Sequence, residues 1–253
     1  MRIQKLGILS AMEEETRALE HDLEQARRVS RGRTTFHEGQ LSGLSIVLGR
    51  SGWGKVAAAA HTQCMIDFFG VDAVLFIGVA GGLSPQIRRG DIVIATGVAQ
   101  HDMDARPFFP QGEIPLLGRR ELISSTPLFE NAYQACRQVI QQSIFSPEEL
   151  AEFGIVELMV HRGLALTGDQ VIFDPVKKSE LLNLFPKALS VDMESAAVGQ
   201  VCHSQEIPFT VVRIISDNAD HQMQDDFLDF MKRFVDRFTG PVVRTFVQSL
   251  NQG

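Results

Sequence analysis

The chain has 253 residues, 44% of them hydrophobic and 22% charged, with a net charge of −7 at neutral pH. That length fits one large α/β domain over residues 1–253 with a substantial core, and the negative balance excludes the basic footprint of a nucleic-acid binder. Cys64, Cys136 and Cys202 are far apart and form no C-x-x-C pair, so neither a zinc site nor a disulfide framework is expected.

The first apolar run, residues 6–11 (LGILSA), reads as a strand and is too short, and too soon followed by acids, for a signal peptide. Residues 12–29 read as a helix. Residues 44–52 read as a strand entering a glycine turn, and 55–69 as a helix closed by Gly70 in the C′ position. Residues 73–83 form a buried strand with a second glycine turn, and 90–100 another strand. The longest uncharged segment, 73–87, contains glycines and a proline and is too short to span a bilayer. Residues 101–130 carry Pro107, Pro110, Pro115 and Pro127 without periodicity, and read as a lid, binding loop or interface. Residues 163–172 and 188–193 read as strands, 194–206 as a helix, 209–217 as a strand. Residues 227–250 read as an amphipathic helix, with an interruption possible at Gly240-Pro241. Alternating strands and helices without a linker predict an α/β layered fold, and the three scattered cysteines suit a reduced, cytoplasmic setting.

Gly49, Gly54 and Lys55 match part of the G-x-x-x-x-G-K-[ST] phosphate loop. Val56 stands where Ser or Thr must hold magnesium, so the match fails at the metal. The single tryptophan, Trp53, sits in this turn.

Three acids occupy suggestive places. Ser10 and Glu13 have the spacing of a capping box, which accounts for Glu13 but not for Glu15. On a helix, Met12, Glu15, Leu19 and Leu23 share one face, so Glu15 is expected semi-buried on an apolar stripe, with its pKa raised toward that of a general base. Asp217 ends the strand 209–217, where open α/β sheets bind ligands; an Asx turn is the plainer account of it. Arg213 interrupts the same apolar run and needs an acidic partner. Glu194 lies at a strand-to-helix crossing, suited to a helix terminus or to sugar hydroxyls. Together the three acids imply a small-molecule site with acid and base chemistry. A metal at His101, Asp102 and Asp104 is not expected, since these residues read as shaping a loop.

The stretches GILSAMEEE, SGWGKVAAA, GVAGGL, GDIV, QHDMDA, TGDQ, VDMESAAV and VVRIISDNAD occur in one order over nearly the whole chain. In that order and spacing the chain resembles the 5′-methylthioadenosine/S-adenosylhomocysteine nucleosidases of the purine nucleoside phosphorylase-like superfamily. The resemblance implies a three-layer α/β/α sandwich around a mixed sheet, a homodimer, no cofactor, and hydrolysis of an adenine N-glycosidic bond in methionine salvage. It implies that Asp217 is the general acid to adenine N7, Glu15 the carboxylate activating water, and Arg213 an arginine near that water. Glu194 would hold the ribose hydroxyls beside Met193, Ser216 would orient the acid, and the Ile172 backbone would read the adenine edge. Phe227 would close the site, and Phe108 and Pro115, in the 101–118 loop, would enter the partner's thioether pocket. Several positions depart from the family pattern: Val171 stands for a stacking phenylalanine, Val79 for Ser or Thr, Asp192 for glutamate, Arg106-Pro107 within the HDAD-type loop, and Trp53 for a smaller aliphatic residue of the alkylthio pocket. They leave the acids intact and place substrate preference in question. The alternatives are a phosphorylase, which would need arginines around an anion, a 6-amino-6-deoxyfutalosine hydrolase, and a nucleoside-binding protein without catalysis.

Overall fold

The computed structural model describes residues 3–217 and 227–251. Among these residues ten strands form one mixed sheet: β1 (Lys5–Ser10), β2 (Glu24–Arg31), β3 (Thr34–Leu41), β4 (Leu44–Arg50), β5 (Ala73–Gly82), β6 (Ile92–Gln100), β7 (Leu122–Ile123), β8 (Val160–Thr167), β9 (Ala188–Asp192) and β10 (Phe209–Asp217). β10 pairs in parallel with β5 and antiparallel with β6, so β5, β10, β6, β8 and β9 close on themselves. From β5 the sheet continues through β1, β4, β3 and β2.

The helices are α1 (Arg17–Asp22), α2 (Lys55–Phe69), α3 (Thr126–Gln141), α4 (Pro147–Glu152), α5 (Pro175–Leu184), α6 (Ser195–Ser204), α7 (Phe227–Phe230) and α8 (Asp236–Leu250). One face of the sheet packs Met65 and Phe69 of α2 with Ala197 and Cys202 of α6. The other packs Phe129 and Val139 of α3 with Phe238 and Phe246 of α8. Helices on both faces give the expected three-layer α/β/α sandwich. No helix among the described residues is long and apolar enough to cross a membrane.

Five expectations are corrected. Residues 12–29 are not one helix: a 3₁₀ turn at Glu13–Glu15 and the short α1 give way to β2. β2 is an exposed edge strand whose polar sequence shows no apolar alternation; pairing with β3 across the Gly32-Arg33 turn decides it, Gly32 taking the positive φ of +60°. The expected box at Ser10 and Glu13 does not form. Ser10 turns its hydroxyl to the Met12 carbonyl (3.1 Å) and to Thr16 (3.0 Å), and Glu13 pairs with Arg17 (3.1 Å). The loop after β6 ends early, because β7 pairs with β6 and Pro127 sits in the first turn of α3. β8 stops at Thr167, and residues 168–172 leave the sheet. The last helix passes through Pro241; its irregularity is instead a π turn at Met231–Val235.

Candidate active site

Gly81 pairs with Val191 and Gly82 with Ser190, antiparallel. This joint sets the carboxyl end of β5 against that of β9. The carboxyl ends of two oppositely running sets of strands, β1, β5 and β10 on one side and β8 and β9 on the other, therefore converge. They surround a cavity of about 610 Å³.

Glu15 enters from the 3₁₀ turn after β1 and is buried. One carboxylate oxygen, Oε2, accepts the N–H groups of Ala11 (2.8 Å) and Met12 (2.7 Å); Oε1 accepts that of Val79 (2.9 Å). Burial pushes its carboxyl above the ordinary glutamate value, against the pull of Arg213 and these three amides. Glu13 faces solvent and Glu15 faces inward, as the apolar stripe required, although the turn carrying Glu15 is not α-helical.

Arg213, on β10, is fully buried and lies over the Phe76 ring at 4.1 Å. Its expected acidic partner is Asp192: Nε donates to Asp192 Oδ2 (2.8 Å) and to Ser195 Oγ (3.0 Å). Asp192 also accepts the Thr167 hydroxyl (2.7 Å), the Ser195 hydroxyl, and the backbone N–H groups of Glu194 and Ser195 (3.0 Å each). It is the fixed member of the site. Nη2 of Arg213 lies 3.8 Å from Glu194, and Nη1 has no hydrogen-bond partner among the described residues. A Cβ on Gly78 would lie 2.4 Å from Glu15 Oε1 and 2.6 Å from Arg213 Nη1. The missing side chain at Gly78 is thus what lets these two charges share one space.

Glu194 caps the start of α6 and accepts the Gly54 N–H (2.9 Å). Burial and the carboxylates of Asp192 and Glu15, opposed by Arg213, push it up to about 7. Asp217 follows a bulge in the β10–β5 ladder, between Ile215 and Asp217, which re-aims it at the cavity. Ser216 donates its hydroxyl to Asp217 Oδ2 (2.7 Å).

Of the remaining residues expected at the site, Met193, Ile172, Val171, Val79, Trp53 and Phe227 line the cavity. Arg213 stands behind it, against Glu15 and Glu194. Phe108, 86% exposed, and Pro115 do not line the cavity of their own chain. Residues 218–220, the end of the last motif, lie outside the described residues. Sequence reasoning missed Phe173 and Leu228, which also line the cavity; an aromatic two places after Val171, on the same excursion from β8, was the available signal for Phe173. No Lys or Arg lines the described wall, whereas Glu15, Asp192, Glu194 and Asp217 do. Asp102 and Asp104, weighed above as metal ligands, instead meet Lys55 and Arg106, and no described cluster of His, Cys, Asp or Glu is arranged to hold a metal.

The family model of the phosphorylase superfamily matches residues 5–247. A 5′-methylthioadenosine/S-adenosylhomocysteine nucleosidase of Anoxybacillus flavithermus is 33% identical over 98% of this chain and 99% of its own length. The solved nucleosidase of that name from Neisseria meningitidis, in complex with methylthio-immucillin-A, superposes with a TM-score of 0.85 at 33% identity, covering 97% of this chain and 99% of that one. A futalosine hydrolase of Helicobacter pylori superposes with a TM-score of 0.82 at 30% identity over 97% and 98% of the two chains.

Proposed function

Since the chain belongs to the phosphorylase superfamily, and within it to the 5′-methylthioadenosine/S-adenosylhomocysteine nucleosidases, we propose that Asp217 and Glu15 divide the acid and base work of that hydrolysis. The enzyme cleaves the N-glycosidic bond of 5′-methylthioadenosine and S-adenosylhomocysteine, releasing adenine. Asp217 gives its proton to adenine N7, so the purine leaves neutral and the ribosyl group takes on oxocarbenium character. Glu15 takes a proton from water as the water oxygen bonds to the anomeric carbon. Arg213, buried behind Glu15, lies near that water. Glu194 accepts from the ribose hydroxyls, with Met193 against the sugar. The Ile172 backbone reads the base edge, and Val171, Val79, Trp53 and Phe227 supply apolar wall. Ser216 fixes the orientation of Asp217.

The observation that carries this reading is the described cavity wall: acids from three strand ends line it and no described Lys or Arg does, the buried Arg213 standing behind Glu15. Such a wall repels phosphate and suits water as the nucleophile. Adenine release from methylthioadenosine in phosphate-free buffer is the test; strict dependence on added phosphate would overturn it. The likeness to the futalosine hydrolase makes 6-amino-6-deoxyfutalosine the second substrate to assay. If its kcat/KM exceeded that of methylthioadenosine, the substrate assignment would pass to it. The enzyme acts without a cofactor, as a cytoplasmic homodimer in methionine salvage, with the 101–118 loop reaching the neighbouring site.

A further inference from the structure

The lysine of the glycine turn is left unused by the acid–base reading. Lys55 opens α2, whose N-cap is Gly54, a residue without a capping side chain. The first amides of α2 find carboxylates from elsewhere: Glu194 accepts from Gly54 and Asp169 accepts from Lys55 (2.9 Å each). The Lys55 ammonium lies 2.6 Å from Asp102 Oδ1, 3.6 Å from Asp169 Oδ2, and donates to Gln100 Oε1 at 3.2 Å. The Asp169 N–H donates to Asp102 Oδ2 (3.0 Å), which closes a ring of three residues. Burial raises Asp102, but Lys55 and the Asp169 N–H outweigh it and hold the carboxyl below its ordinary value. Gly168 begins the same excursion packed onto His101, where a Cβ would lie 2.3 Å from the ring. Residues 170–173 then line the cavity.

We propose that Lys55 is a positioning residue that clasps the base-facing segment 168–173 to the turn bound by the ribose-facing Glu194. The lysine of a failed phosphate loop thereby sets the spacing between two halves of the substrate site. The inference rests on the nucleoside reading of the cavity.

Trp53, the chain's single tryptophan, lines the cavity two residues before Lys55 and reports on this turn without turnover. Adenine is titrated into wild type, Lys55→Met and Lys55→Arg, following Trp53 fluorescence, and kcat and KM are measured beside thermal melts. For Lys55→Met, adenine affinity and kcat/KM are expected to fall about ten- to a hundredfold, the scale of a misplaced contact. Lys55→Arg should recover part of this, and the melting temperature should move by only a few degrees. Asp102→Asn should repeat the loss, and the double variant should lose no more than either single one. Wild-type adenine affinity in Lys55→Met, additive losses, or a loss accompanied by collapse of the melting temperature would overturn the proposal. If the wild type neither binds adenine nor hydrolyses methylthioadenosine, the nucleoside reading fails instead. The clasp is then judged from the emission and acrylamide quenching of Trp53 in Lys55→Met, and no change there would overturn it as well.

Discussion

Asp217 and Glu15 are both carboxylates at strand ends, yet their surroundings differ. Asp217 receives a serine hydroxyl at the rim, whereas Glu15 is buried among three backbone donors. Asp217→Asn keeps the shape and removes the proton, so kcat should drop about 10²- to 10⁴-fold; near-normal adenine release would refute the assignment. Glu15→Gln does more, because its amide NH₂ must face one of the backbone donors. It should lose hydrolysis and also about 1–3 kcal/mol of stability, read from urea melts beside the activity assay. Glu194 sets a pH signature. Its folded carboxyl titrates at about 7, above the ordinary 4.5, so the folded state holds this proton more tightly than the unfolded chain. The associated stability is complete below the unfolded value and is lost as pH rises through the folded one. Glu194→Gln, which carries no charge to bury, should therefore melt progressively higher than wild type between pH 5 and pH 8, while failing to bind substrate. A difference in melting temperature that stays flat across that range would show that Glu194 is not the group responsible.

At the scale of elements, the turn at Gly52–Gly54 carries Trp53 into the cavity wall with both glycines at positive φ, +75° and +94°. If Glu194 faces the ribose as proposed, the indole on the same wall would narrow the space open to the 5′ substituent. Trp53→Ile should re-rank methylthioadenosine, S-adenosylhomocysteine and 5′-deoxyadenosine by kcat/KM. An unchanged ranking would assign Trp53 to packing alone. The strands and the acids at their ends were legible because buried parallel strands read as apolar runs and ligands gather where they stop. Glu15 was legible for a related reason: a charge on an apolar stripe needs a use, whatever helix type carries it. β2 and β3 were not legible, since an edge hairpin with one solvated face draws its stability from pairing rather than from a local pattern. Phe173 was missed because position 171, where the resemblance directed attention, is valine, and the aromatic two residues on, the one available signal, carries no periodicity that marks it as part of a wall.

At the scale of the whole molecule, four of the exposed large apolar side chains lie near the start of α2 and on the loop after β6. Trp53 and Val56 are 62% and 82% exposed, and Phe108 and Leu116 are 86% and 96% exposed. The Lys55–Asp102 contact ties the base of that loop to the first turn of α2. Exposed apolar side chains of this size on a loop that reaches away from its own cavity suit an interface. A homodimer would cover them and would bring Phe108 and Pro115 to a neighbouring cavity, which they do not reach in their own chain. Leu116→Glu, remote from the carboxylates, should then shift the protein toward monomer in sedimentation velocity. It should also raise KM for methylthioadenosine more than it lowers kcat, because in such a dimer the reacting groups would all belong to one chain while part of the thioether wall would be lent. Dilution of the wild type below its dimer dissociation constant should reproduce the same change in KM. A wild type that sediments as a monomer at full activity would overturn both the dimer and the lent wall, and would leave Trp53 as the residue that bounds the 5′ end.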